Sequence, residues 1–117
     1  MSITEYLRYV EKNGKPGMLR GLIYSSARSA AYFQPPIDLP VQFIHHGNDG
    51  CPGSLLSASQ GNFEKVKGWN KSETFFSIVT SGKAEFGPPC STGFHMYYEA
   101  EQEVVKIIET FIGRYAK

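Results

Sequence analysis

Apolar residues recur along this chain with two distinct periods. Ile3, Tyr6, Leu7 and Val10 fall at the i, i+3, i+4, i+7 spacing of one helical face, which predicts a helix over Ser2–Asn13. Ser2 and Glu5 form an S-x-x-E capping box at its start, and Asn13-Gly14 followed by Pro16 ends it. Val104, Ile107, Ile108, Phe111 and Tyr115 share one face of a second predicted helix, Glu99–Tyr115. Glu99, Glu101 and Glu103 sit at its positive end, and Arg114 and Lys117 at its negative end. A less regular pattern predicts a helix over Ser54–Lys67, with Leu55, Leu56 and Phe63 inward and Gly61 interrupting it.

Three short runs have the character of strands. Met18–Ser25 (MLRGLIYS) contains Gly21, which weakens the run or marks a close backbone approach. Val41–His46 (VQFIHH) is mostly apolar and ends in polar residues, as a buried parallel strand does where it opens into a site. Glu73–Thr80 (ETFFSIVT) is rich in β-branched and aromatic residues. Between them, Ser26–Pro40 and Ser81–His95 hold the prolines and glycines of irregular loops, and Gly47-Asn48-Asp49-Gly50 is a turn. Strands alternating with helices predict an α/β fold: a three-layer domain over residues 1–117, with a short parallel sheet of about three strands flanked by helices.

Composition narrows the class. The 117 residues suit one domain, and 41% hydrophobic with 20% charged residues is globular rather than disordered. Twelve Lys and Arg against eleven Asp and Glu leave a net charge of +1, so no basic field points to nucleic acid or a membrane surface. No apolar run approaches the ~18 residues of a membrane span, and the first residues lack the charged and apolar regions of a signal peptide. The two cysteines do not make a disulfide-rich scaffold but leave one bridge open.

The densest polar cluster, His45-His46-Gly47-Asn48-Asp49-Gly50-Cys51, follows a predicted parallel strand, where open α/β sheets place ligand and catalytic groups. A second cluster, Gly87-Pro88-Pro89-Cys90-Ser91-Thr92-Gly93-Phe94-His95, follows the next strand. An acid after one strand and a histidine after the next is the order of a His–Asp pair, in which Asp fixes the imidazole and the imidazole takes a proton from a nucleophile.

"PVQFIHHGNDGC", then a strand, then "GPPC" and "GFHMYYEAEQEVVKIIETFI" resemble the C-terminal third of an α/β-hydrolase. The likeness is closest to a subgroup, often exported, with an H-H-x-x-D-x-C acid loop and a Gly-x-Pro-Cys segment before the histidine. "GMLRGLIYSSA" resembles the strand that precedes the acid-bearing one. The resemblance implies Asp49 as the acid and His95 as the base of a Ser-His-Asp triad, with no cofactor and no metal. The chain departs from the family in having no G-x-S-x-G, hence no nucleophile elbow. By the resemblance, Met1 falls within a residue or two of the absent serine, as in a truncated reading frame, a fragment or one chain of a split enzyme.

Each of these residues also has a plainer role. Asp49 in N-D-G can be a turn residue, and His95 a loop histidine bound to a carbonyl. His45 and His46 at a strand end can pack or hydrogen-bond structurally. His45, His46, Asp49 and Cys51 are zinc-ligand types, but neighbouring strand residues point to opposite faces. Cys51 and Cys90 are buried thiols by default, yet they flank the acid and the base. A bridge closing ~40 residues is worth about 4 kcal/mol in the chain-entropy model, and implies a periplasmic or secreted protein; without it the compartment is cytoplasmic. Asn70-Lys71-Ser72 matches a glycosylation sequon, a triplet common by chance.

Two functions follow. In the first, the chain is the C-terminal part of a serine α/β-hydrolase acting on a small ester or other acyl substrate, with the nucleophile supplied elsewhere. In the second, it is a small non-catalytic α/β domain acting through self-association or a partner chain. In both, an unpaired sheet edge leads to a homo-oligomer or a second chain.

Overall fold

The protein is described by a computed structural model over residues 20–27 and 38–115. The helix expected over Ser2–Asn13, the first residues of the Met18–Ser25 strand, Lys117 and most of the Ser26–Pro40 loop lie outside these residues. Within them the order is strand β1 (Leu22–Ser25), strand β2 (Val41–His46), helix α1 (Leu56–Trp69), strand β3 (Thr74–Val79), a 3-10 turn (Gly93–Met96) and helix α2 (Glu101–Tyr115). The strands form one parallel sheet in the order β1-β2-β3, with Leu22 opposite Val41 and Val41 opposite Thr74.

Every residue of β2 is buried, as a central strand covered on both faces requires. Side-chain alternation sends Val41 and Phe43 to one face, where they meet Leu22, Tyr24, Leu39, Val66, Phe63 and Phe76. Ile44 points the other way, to Val79, Tyr97, Ala100, Val104, Ile107 and Ile108. The sheet thus lies between α1 and α2, the three-layer α/β arrangement that the alternating pattern predicts. On the first face Phe43 stacks on Tyr24 at 5.3 Å and meets Phe63 and Phe76 at 6.1 and 6.4 Å. Burial of Tyr24 pushes its hydroxyl well above the ordinary tyrosine value.

Three details differ from the sequence reading. Helix α1 starts at Leu56 rather than Ser54, and Leu55 is half exposed rather than inward; its buried positions are Ser59, Asn62 and Val66. Gly61 does not interrupt the helix, because it faces open space on the solvent side. Helix α2 starts at Glu101 rather than Glu99, since Tyr97 and Glu99 have left-handed backbone angles, φ 57° and 56°, that no α-helix contains. Gly21, by contrast, is a close approach: a Cβ there would lie 2.9 Å from the Phe111 ring and 3.2 Å from the Pro40 carbonyl.

Asn70, the sequon asparagine, ends α1. Its Nδ2 donates to the Leu39 carbonyl at 2.8 Å and to Thr74 Oγ1 at 2.9 Å, so its amide joins the helix end to β3 and to the segment before β2.

Phe43 is fully buried among three aromatic rings, whereas Ile112 on α2 is 50% exposed. Phe43→Ala is expected to lower stability by about 3–5 kcal/mol, and Ile112→Ala to leave it within about 0.5 kcal/mol. Urea unfolding followed by circular dichroism measures both; equal effects would mean that the core is not centred on β2.

Candidate active site

The last two residues of β2 are histidines, and alternation sends them to opposite faces of the sheet. His46 goes towards α2. Its Nε2 donates to the Ser81 carbonyl at 2.6 Å, its Nδ1 accepts from the Asn48 N–H at 2.9 Å, and Phe94 covers the ring at 4.4 Å. Both ring nitrogens are used by backbone, which makes His46 a structural pin. Ser81 is held in turn by Glu103 of α2, whose Oε1 accepts from the Ser81 N–H at 2.9 Å and the Ser81 hydroxyl at 2.7 Å. These bonds, the Ser81 N–H first, hold the Glu103 carboxyl below the usual glutamate value.

His45 goes the other way, towards the turn that follows β2. That turn is closed by Gly47 N–H to Val79 O at 2.9 Å and Asp49 N–H to His46 O at 3.2 Å. Asp49 fills its plainer role there, since its Oδ1 accepts from the Cys51 N–H at 2.9 Å. Its other oxygen does more. Oδ2 lies 2.9 Å from His45 Nε2, 3.0 Å from His95 Nδ1 and 3.1 Å from the Ser54 hydroxyl. The Asp49 side chain is wholly buried. All four neighbours are satisfied as donors only by an ionised carboxylate, which offers acceptors alone.

His95 reaches this carboxylate from the 3-10 turn before α2. The turn is fastened to the sheet by the Ser26 hydroxyl, which donates to the His95 carbonyl at 3.0 Å, and by Tyr97. The Tyr97 hydroxyl donates to the Ile44 carbonyl at 3.1 Å and accepts from Ser25 at 3.0 Å. Ser26 itself sits at φ 48°, a conformation costly for serine that often marks a functional site. Cys51 and Cys90 are disulfide-bonded, with Cα atoms 4.6 Å apart, tying the acid turn to the loop before the histidine.

The geometry therefore brings together Asp49, His95, Cys51 and Cys90. His45, read as structural, joins them through Asp49. Ser54 is the member that the sequence does not announce, because the local pattern makes it the first residue of a helix; its one sequence signal is a place five residues after the acid, across a Pro52-Gly53 turn. A serine, a histidine and an aspartate now lie within hydrogen-bond distance of one another. They are not a nucleophilic triad: Ser54 and Asp49 both address Nδ1 of His95, whereas a nucleophile must face Nε2. Nδ1 faces two oxygens, the arrangement that suits a hydrogen on Nδ1 and a lone pair on Nε2. Nε2 has no hydrogen-bond partner among the described residues, and His95 lines a cleft of about 140 Å³ with Asn48, Glu85, Pro89 and Phe94. Among the described residues no three His, Cys, Asp or Glu side chains are arranged to hold a metal ion.

No family model, curated protein or solved structure matches the chain.

Removing the carboxylate strands its buried donors. Asp49→Ala is expected to destabilise the protein by about 3 kcal/mol or more, with Asp49→Asn intermediate because its amide oxygen still accepts. Chemical denaturation of the oxidised proteins measures this; an Asp49→Ala variant as stable as wild type would mean that the donors are satisfied without it.

Proposed function

We propose that His95 and Asp49 are the base and acid of a serine acyl hydrolase whose nucleophile is not carried by these 117 residues and is supplied elsewhere. The observation that carries this reading is the buried Asp49 carboxylate 3.0 Å from Nδ1 of His95, with Nε2 left over beside a cleft. In the reaction, a serine hydroxyl attacks the acyl carbon of a small ester or other acyl substrate as Nε2 of His95 takes its proton. Asp49 stabilises the imidazolium, which passes the proton to the leaving alcohol or amine. Water then attacks the acyl-enzyme, His95 takes the water's proton, and the serine hydroxyl is restored on release of the acid. The oxyanion donors that this chemistry needs are also outside the described residues. The Cys51–Cys90 bridge supports an oxidising compartment, periplasmic or extracellular.

A second reading, association without catalysis, is favoured by one observation. Among the described residues β1 is hydrogen-bonded to a neighbour on one side only, and an open parallel edge invites a further strand. The chain is then a homo-oligomer or the partner of a second chain.

Two experiments test these readings, the first the hydrolase and the second the association that both entail. Protein purified from its source is treated with a fluorophosphonate, which labels activated serines. Labelling is expected at a serine that is not among these 117 residues, reduced about a hundredfold or more by His95→Gln; no labelling, labelling within these residues, or labelling that survives His95→Gln overturns the hydrolase reading. Light scattering at low micromolar concentration is expected to show a dimer, a larger oligomer or a complex burying about 1,500 Å² or more. A cooperative 13.1 kDa monomer removes the argument from the open edge.

A further inference from the structure

We propose that Ser54 is a positioning residue for His95, holding its imidazole in the tautomer and plane that a base requires; this rests on the reading of His95 as the base. Ser54 is 1% exposed, and every polar group it has is engaged. Its N–H donates to the Cys51 carbonyl at 3.1 Å, and its carbonyl accepts from His45 Nε2 at 2.8 Å. The backbone is thus fixed from both sides before the hydroxyl is considered.

A hydroxyl carries one hydrogen. Donated to Asp49 Oδ2 at 3.1 Å, it leaves an oxygen lone pair, and His95 Nδ1 lies 3.0 Å from that oxygen. A bare Nδ1 would then oppose lone pairs on both Oδ2 and Oγ, whereas an Nδ1–H meets two acceptors. Asp49 alone presents a single oxygen to the ring, about which the imidazole can swing while keeping its bond. Ser54 supplies a second point, so a swing or a ring flip loses two bonds instead of one. His45 closes the arrangement: its Nε2 sits between Asp49 Oδ2 and the Ser54 carbonyl, locking acid and serine together. The result is a hydroxyl on the acid side of the histidine whose work is orientation and not attack.

The test reads the ring nitrogens rather than turnover, so it can be made on the purified chain. Diethyl pyrocarbonate attacks an imidazole nitrogen through its lone pair. His45 and His46 are wholly buried, which leaves His95 as the reactive histidine. In near-neutral buffer, wild type is expected to be modified at one histidine, His95, read by the ultraviolet absorbance of the carbethoxylated ring, and to show by NMR an imidazole hydrogen on His95 Nδ1 that exchanges slowly with water. Ser54→Ala is expected to slow the modification roughly fivefold, the weight of one hydrogen bond, and to speed exchange of the Nδ1 hydrogen. Ser54→Thr, which keeps the hydroxyl, restores both. Ser54→Cys, a weaker donor and acceptor at the same place, falls between them and carries the comparison where Ser54→Ala does not fold. Wild-type reactivity and exchange in Ser54→Ala, or in Ser54→Cys in its stead, overturn the proposal and leave Ser54 a packing residue. A wild-type hydrogen on Nε2 instead overturns the base reading itself, whatever the variants do.

Discussion

A buried carboxylate cannot stand alone, and the polar architecture of this protein is the answer to that constraint. Taking an ionised Asp49 out of water costs several kcal/mol unless donors replace the lost hydration. Four donors do so: His45 Nε2, His95 Nδ1, the Ser54 hydroxyl and the Cys51 N–H. They come from the end of a strand, a turn, the approach to a helix and a 3-10 turn far along the chain. Meeting the demand of one side chain therefore fixes the relative position of four segments that share no secondary structure.

The sheet makes this convergence available. Because β2 is covered on both faces, its two terminal histidines are drawn into opposite layers without either reaching water. One braces the acid turn and the other braces Ser81, which α2 grips through Glu103. Both ends of the β3–α2 connection are consequently held: at Ser81 by the second histidine, and at the 3-10 turn by Ser26 and Tyr97. The proposed role of His95 as a base calls for such bracing, since misplacement by about an ångström weakens proton transfer sharply.

The elements with regular periods were legible in the sequence. Val41–His46 is found as expected, and the apolar stripe of α2 packs where its spacing places it. Asp49 and His95 were legible as a pair because each follows a strand of a parallel sheet, and side-chain geometry brings them together. What was not legible depends on tertiary contacts that no period encodes. Leu55 looks like a core residue, but the turn that delivers Ser54 to Asp49 rotates it outward. Glu99 looks like a good first residue of a helix, yet the left-handed step at Tyr97 and Glu99 delays α2 by two residues. The left-handed serine at Ser26 belongs to the same group, held by its N–H to the Ile44 carbonyl and its hydroxyl to the 3-10 turn. In each case a tertiary arrangement overrides a local preference.

Neither cysteine of the bridge lies in a strand or a helix: Cys51 belongs to the acid turn and Cys90 to the loop before the histidine. The packing of the sheet against its helices runs through apolar faces and is separate from the bridge. The bridge acts on the two loops that carry Asp49 and His95, and Cys51 also gives its own N–H to the Asp49 carboxylate. One covalent link and one hydrogen bond thus meet on the same turn, so reduction of the disulfide bears on the loops of the site and not on the sheet.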